Sequence, residues 1–559
     1  MDLDTSCPDW RQRLTEGRSL VPDVPLINPE NGEKAVRIFN RLRVPDIPGQ
    51  PRLAEAGGDW FRDIVRVVFG SYDSEAGRRL IQEIFLLVPK KNAKSTYSAA
   101  VMMTAIIMNQ RPNAELLLIA PTKEIADIAF NQARGMVKAD PALDNLFHPQ
   151  EHLKKITHLN MGSVLKVVAA DTNVVTGVKA TFILIDETHV FGDKSRATHV
   201  FTELRGAQAA RPDGFLWQIT TQSKTPPAGV FKAELQHARA VRDGKAKAPL
   251  LPVLYELPQD LAGENGWRDP DRLRMVNPNL GRSVNLEFIE RGIERAEEEG
   301  AEALALFASQ HANVEIGLAL QSDRWPGADY WQAQGDRALS LETVIERSEV
   351  VTVGIDGGGL DDLLGFAVCG RDAETGGWML WNRAWAHPIA AQRRKTEAPK
   401  YRDFERDGDL VMTDGLHSDV AEVAALVGQV EAAGKLDRVG LDPVGIGAVV
   451  DALQEVGIEY ERLVAVTQGW KLSGAIKTTE RELASGKLRH AGQPMMAWCV
   501  GNAKIEPRGN AILVTKQAAG RGKIDPLMAT FNAIALMAMN PEPRGGDLQA
   551  WLDEPIMVV

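Results

Sequence analysis

From Gln82 to Ser223 the chain alternates strand-like apolar runs with amphipathic stretches, and this alternation constrains its fold more than any other feature. EIFLLVP is followed by SAAVMMTAIIM, ELLLIAP by KEIADIAFNQARGMV, and VLKVVAA, TFILIDE and FLWQITT complete the series. Strands that are apolar throughout bury both faces, so the pattern predicts an α/β fold with helices packed on a mainly parallel sheet. A second strand cluster starts at Val350 with VVTVGIDGG, LLGFAVCGR and GGWMLWNRAW, separated by short Gly/Asp turns as in an antiparallel meander. Helices and one further apolar strand, RVGLDP, follow. Between the clusters lie Pro-rich segments (KTPPAG, LPVLYELP, MVNPNLG) and a charged helix, NLEFIERGIERAEEEGAEALALFASQ, read as a lid or linker. Ahead of them the sequence is punctuated by Pro and Gly, with one aromatic-rich helical stretch from Trp60 to Phe69. The boundaries expected are an adapter over 1–80, a first core over 81–225, a lid/linker over 226–340 and a second core over 341–559.

The first core carries a phosphate-site signal. Residues 88–96 read VPKKNAKST between an apolar strand and a helix, matching the second half of G-x-x-x-x-G-K-[ST], with Val88 and Ala93 in place of the two glycines. A strand, turn and helix N-terminus present backbone N–H groups to a phosphate, with Lys94 reaching the β/γ-phosphates and Ser95 on Mg²⁺. FILIDE ends a buried strand in Asp186 and Glu187, the pair needed to hold a metal and to polarise the attacking water. LLLIAPTKEIADIAF resembles motif Ia of helicase-like translocases and WQITTQS their motif III, where Thr220, Thr221 and Gln222 would sense the γ-phosphate. A strand-end hydroxyl is also an ordinary cap, so both roles stay open for these residues.

The second core carries carboxylates at strand ends. Asp356 closes one buried strand, Asp361 and Asp362 precede the next, Asp442 ends RVGLDP, and Asp525 opens the helix after KID. Oxygen ligands converging from two strand ends and a helix suit two Mg²⁺ or Mn²⁺ ions, which together clamp the attacking and leaving oxygens in phosphodiester hydrolysis. This is the ribonuclease H-like nuclease plan. Asp361 and Asp362 remain alternatives to each other.

Composition removes other classes. The 559 residues carry a formal net charge of -11, which excludes polyanion binding through bulk charge and leaves only a local basic patch. Three cysteines, far apart, exclude a disulfide framework and a thiolate zinc site and fit a reducing compartment. The longest apolar stretches, Tyr97 to Met108 and Ala529 to Met539, are too short to span a bilayer, so no membrane partner is expected, and the acidic N-terminus lacks the pattern of a secretory signal.

Taken together, these motifs resemble the large terminase subunit of tailed bacteriophages, from about Phe39 to about Met539. The resemblance rests on RIFNRLRVPDIPGQPRLAEAGGDWFRDIVRVVFG, VPKKNAKST, ILIDETHVF, GIDGGGLDDL, QGWKLSGAIKT, AWCVGNA and KID. It implies a P-loop ATPase (RecA/ASCE-like) followed by a ribonuclease H-like nuclease. Pro89, Lys90, Lys91, Asn92, Lys94 and Ser95 match the family loop in type, with Ala93 and Thr96 completing the nucleotide-binding segment. The implied activity is an ATP-driven motor that moves double-stranded DNA into a procapsid and cuts concatemers. Its implied partners are a small terminase subunit, a portal protein and further copies of itself in a pentameric ring. The expected site is the host cytoplasm, with transient docking on the portal and absence from the mature virion. Where the family carries a trans-acting arginine this chain has Thr176, so Lys179 is nominated as the finger, with Arg205 and Arg211 as substitutes. By the same resemblance the adenine side lies near Trp60, with Phe61 in place of the usual Gln. Two other readings of the motifs are a helicase or repair translocase fused to a nuclease, and a non-hydrolysing DNA-docking scaffold.

Overall fold

The computed structural model describes residues 3–169, 179–194, 196–263, 266–316, 325–395, 397–415, 418–443, 447–508, 511–515 and 523–543. Two compact units divide the chain, Met1–Ile316 and Gly317–Val559.

In the first unit an eight-stranded sheet runs through β1 (Glu83–Leu87), β2 (Glu115–Ala120), β3 (Phe147–Gln150), β4 (Lys155–His158), β5 (Val164–Ala169), β6 (Ala180–Asp186), β7 (Phe215–Thr220) and β8 (Leu250–Leu254). Its spatial order is β8-β1-β7-β6-β2-β5-β4-β3. The strands from β8 to β5 pair in parallel, and β4 and β3 add an antiparallel edge. Every residue of β6 is buried, as its unbroken apolar run requires when helices cover both faces. The helix after β1, Lys94–Met108, is buried almost all round because it lies inside this unit rather than on its surface.

The expected 1–80 adapter is part of this core. Helices Pro29–Arg41 and Asp59–Gly70 stack Phe39 on Phe61 with ring centroids 5.6 Å apart, and Phe61 lies 5.8 Å from Trp217 of β7. Aromatic side chains of this size find no other apolar cover, so the segment folds onto the sheet. The expected lid also divides differently. Strand β8 and helix Gly229–Arg242 belong to the sheet and its cover, while residues from 325 onward pack in the second unit. The charged segment read as a single helix is two, Leu286–Glu299 and Ala301–Ala312, broken at Gly300 with φ +105°.

The second unit is built on β9 (Ser348–Gly357), β10 (Leu363–Asp372), β11 (Trp378–Ala386), β12 (Leu410–Met412), β13 (Leu436–Leu441), β14 (Leu463–Ala465) and β15 (Leu488–His490). The order is β12-β11-β10-β9-β13-β14, with β15 also paired to β11. β9, β10 and β11 form the expected antiparallel meander, and β13 joins β9 in parallel. The closing helix, Asp525–Met537, lies directly on β9 and β10. A Cβ at Gly354 would fall 2.0 Å from the Ala529 carbonyl oxygen, and one at Gly365 would fall 2.6 Å from the Asp525 carbonyl carbon, so only glycine lets the helix dock this closely.

Candidate functional site

The parallel strands of the first unit aim their C-terminal ends at one edge, where β7 lies between β1 and β6. The phosphate loop leaves β1 there, and the acid pair ends β6. Lys94 Nζ donates to Glu187 Oε1 at 3.0 Å, and Ser95 Oγ donates to Asp186 Oδ2 at 2.8 Å. The two halves of the expected site, more than ninety positions apart in sequence, are thus bonded to each other. Thr220 joins them from between: its carbonyl accepts the Val88 N–H at 3.1 Å, and its Oγ1 accepts the His189 N–H at 3.0 Å.

Burial and the neighbouring Glu187 raise the Asp186 carboxyl to about 6. Burial works in the same direction on Glu187, but Lys94 Nζ and His189, whose Nδ1 is 3.1 Å from Oε2, outweigh it and hold this carboxylate well below its ordinary range. Two adjacent carboxylates are therefore pushed apart. Glu187 stays ionised, while Asp186 is the carboxyl that a bound cation would return toward its ordinary range.

The loop backbone is unusual. Lys91 and Ala93 have φ of +70° and +57°, and Glu187 has +54°, all in the left-handed region that favours glycine. Ala93 occupies the position that the P-loop pattern gives to glycine, and it keeps the glycine conformation. What holds the loop is a set of buried amides, of which Asn277, Asn279, Gln310 and Asn313 were not among the expected site residues. Asn92 Nδ2 donates to Pro89 O at 3.1 Å and to Asn277 Oδ1 at 2.8 Å, while its Oδ1 accepts the Asn279 N–H at 3.0 Å. Asn279 Oδ1 also accepts from Tyr97 Oη at 3.0 Å and lies 3.4 Å from Trp60 Nε1. Earlier in the loop, Lys90 N–H donates to Gln310 O at 2.8 Å, and Gln310 Nε2 donates to Gln222 O at 2.8 Å. Gln222 N–H is taken by Asn313 Oδ1 at 3.1 Å. Thr221 Oγ1 lies behind them, donating to Gln222 O at 3.3 Å. The MVNPNLG segment, read from its prolines as linker, is therefore part of the phosphate loop's seat. Its two asparagines on either side of a proline were the available signal.

The finger candidates separate. Arg205 is spent on Glu83 (2.9 Å) and Glu234 (2.7 Å) at the start of β1, the end of the strand away from the phosphate loop. Arg211 donates to Ala210 O at 3.0 Å. Thr176 lies outside the described residues. Lys179 is exposed immediately before β6, a strand's length of roughly 20 Å from its own acid pair, so it does not serve its own site.

In the second unit, Asp356 is the penultimate residue of β9 and Asp442 follows β13, whose Leu441 pairs with Ile355. The two carboxylates therefore leave adjoining strand ends. Asp525 opens the closing helix, and a Cβ at Gly357 would fall 3.4 Å from Asp525 Oδ1. The backbone thus gathers the three at one sheet edge. Their side chains do not form a cage: among the described residues no group of three or more His, Cys, Asp or Glu is arranged to hold an ion. The Gln468 amide donates instead to Asp356 Oδ1. Asp361 is paired with Arg394 at 3.2 Å and Asp362 with Lys523, so cations engage both turn aspartates. Gln468 falls in the QGWKLSGAIKT segment that carried part of the resemblance, but nothing in its spacing marked it as a carboxylate partner.

Two family models match the chain: "Terminase large subunit, ATPase domain" over residues 59–232 and "Terminase large subunit, endonuclease domain" over residues 255–541. The large terminase subunit of Enterobacteria phage HK97 is 24% identical over 542 residues, covering 94% of this chain and 99% of the relative. That of Lactococcus phage p2 is 19% identical over 476 residues, 83% of each chain. The crystal structure of the HK97 bacteriophage large terminase superposes with a TM-score of 0.45 at 21% identity, covering 90% of this chain and 99% of that one. Among the described residues no helix is long and apolar enough to cross a membrane. The endonuclease model alone spans more than half of the chain and the ATPase model covers the phosphate loop and acid pair, so this protein belongs to the terminase large subunits, with an ATPase and an endonuclease domain that use nucleotide, divalent metal and DNA.

Proposed function

We propose that this subunit hydrolyses ATP with Mg²⁺ at the Lys94–Glu187 site to drive double-stranded viral DNA into a procapsid. The observation that carries the reading is the direct bonding of the phosphate loop to the acid pair through Lys94–Glu187 and Ser95–Asp186. Lys94 and the N–H groups at the start of its helix bind the phosphates. Ser95 and Asp186 would hold Mg²⁺, which when bound neutralises charge on the transferring phosphoryl group. Their 2.8 Å contact fits this assignment, since both oxygens already meet at one point. Without nucleotide, Lys94 and Glu187 satisfy each other. A bound phosphate draws Lys94 away and leaves Glu187, still ionised beside His189, to orient and polarise water. Thr220 is bonded to the loop at Val88, and Gln222, joined to Thr221, is bonded to Gln310 and Asn313 at the end of the Ala301–Ala312 helix, so that these three residues relay loss of the γ-phosphate.

The same reading assigns Asp356, Asp442 and Asp525 to cleavage of concatemeric DNA. The donor set is all carboxylate and suits Mg²⁺ or Mn²⁺, which activate the attacking and leaving oxygens when bound. Gln468, whose amide donates to Asp356 Oδ1, would orient that carboxylate beside a bound cation. Active subunits form a pentameric ring on the portal protein, and each Lys179 serves its neighbour's nucleotide. A small terminase subunit selects the DNA. The protein works in the host cytoplasm, docks transiently and is left out of the mature virion. The test is packaging of linear DNA into purified procapsids with ATP. Nuclease-protected DNA is the expected result, and procapsids that stay empty while ATP is consumed would refute the motor.

A further inference from the structure

At the end of the first sheet opposite the nucleotide edge, a cavity of about 90 Å³ opens beside Arg79, with Phe182 near the start of β6 and Met108 at the end of the Lys94–Met108 helix in its wall. Arg79 is 6% exposed. Its guanidinium lies among the rings of Phe69, Tyr72, Phe182 and Phe215, 5.1 to 5.7 Å from their centroids. Nε donates to Asp213 O at 2.8 Å and Nη1 to Val68 O at 2.9 Å, which leaves Nη2 with no hydrogen bond among the described residues. Aromatic faces and carbonyls ease the burial of a cation, but no carboxylate among the described residues forms an ion pair with it.

The acid in the cavity wall is already committed. Asp213 accepts from Arg111 Nε at 3.1 Å and from Nη2 at 2.6 Å, a bidentate pair that consumes both carboxylate oxygens. Two guanidiniums and one carboxylate therefore face the cavity, a surplus of one positive charge in a space sized for a single small anion. Burial lowers the Arg79 guanidinium to about 10, a shift that an adjacent anion reverses. The phosphate loop and acid pair lie at the other ends of the same strands, so the motor chemistry makes no use of this group.

We propose that this recess is a binding site for an oxyanion of the phosphate class, with Arg79 as its cation and the Arg111–Asp213 pair setting its affinity. The charge count supplies a test that does not require removing Arg79. Asp213→Asn removes the competing negative charge and should tighten binding. Arg111→Gln frees Asp213 to neutralise Arg79 and should weaken it. Thermal unfolding of the full chain carrying Lys94→Ala, which weakens anion binding at the phosphate loop, is followed against phosphate at constant ionic strength, with sulfate as a second oxyanion and chloride as control. Phosphate and sulfate should raise the Tm saturably, and chloride should not. The half-saturating concentration should fall roughly tenfold in Asp213→Asn and rise roughly tenfold in Arg111→Gln, as expected for gain or loss of one charge-assisted contact. Arg79→Met should abolish the effect. If it does not fold, the other two variants still decide the matter. A short DNA duplex in place of phosphate identifies the source: stabilisation in the same variant order assigns a backbone phosphate, and its absence assigns the free ion. Equal half-saturation in parent, Asp213→Asn and Arg111→Gln, or no saturable rise in Tm, would overturn the proposal.

Discussion

Replacing Asn92 by Ala tests whether the buried amides hold the phosphate loop. The substitution deletes three short hydrogen bonds, to Pro89 O (3.1 Å), Asn277 Oδ1 (2.8 Å) and the Asn279 N–H (3.0 Å), and a longer one to Lys90 O (3.4 Å). Each short bond contributes about 1 kcal/mol net, so the loss is about 3 kcal/mol before the stranded groups are considered. Asn92 and Asn279 are 0% exposed and Asn277 is 1% exposed, so water does not replace the lost partners and the cost grows. For a unit of this size about 2 °C accompanies each kcal/mol, which gives a fall in Tm of roughly 6 °C or more. Lys91 and Ala93, both at positive φ, flank the lost anchor, so the loop should relax and the KM for ATP should rise with the fall in stability. Asn277→Ala and the double variant complete a cycle, with an expected coupling of about 1 kcal/mol between the two side chains. The readouts are tryptophan-detected thermal unfolding of the full chain and steady-state ATPase. An Asn92→Ala protein within a degree of the parent Tm and with unchanged KM would refute the reasoning.

Glu187→Gln should lower ATP turnover by ~10³-fold or more while retaining nucleotide binding, and Lys94→Ala should lose binding as well, both checked by turnover and nucleotide titration. Asp356→Asn, Asp442→Asn and Asp525→Asn should each remove metal-dependent DNA cleavage at near-normal ATPase activity; undiminished cleavage in all three would reject the nuclease assignment. Mixing Lys94→Ala subunits with Lys179→Ala subunits should restore ATPase above either alone, because each supplies what the other lacks; a silent Lys179→Ala places the finger elsewhere. Ala93→Gly relieves a left-handed alanine worth about 1 kcal/mol but loses a partly buried methyl and loosens the unfolded chain by a similar amount. Its Tm should therefore stay within about 2 °C of the parent, and a larger fall would show that the methyl group packs more tightly than its neighbours indicate.

The local sequence of this chain determined which segments are strands, which turn carries phosphate-binding donors and where carboxylates end buried strands. These are nearest-neighbour properties: VPKKNAKST must follow an apolar strand and open a helix, and FILIDE must be buried up to its acids. The meander from Val350 was legible for the same reason, since alternation and Gly/Asp turns are written within a few residues. Tertiary structure decided what those segments touch. That Asn277 and Asn279 seat a loop some 185 residues earlier, that Arg205 is consumed by Glu83 rather than offered to a nucleotide, and that Gln468 caps Asp356 depend on contacts across the chain. A polar side chain's partner is set by which buried group would otherwise lack a hydrogen bond, and that is known only when the chain has folded. The adapter and lid boundaries shifted for a related reason. Proline and glycine mark where a helix or strand stops, but the apolar faces of Phe39, Phe61 and β8 fix which core the flanking segments join.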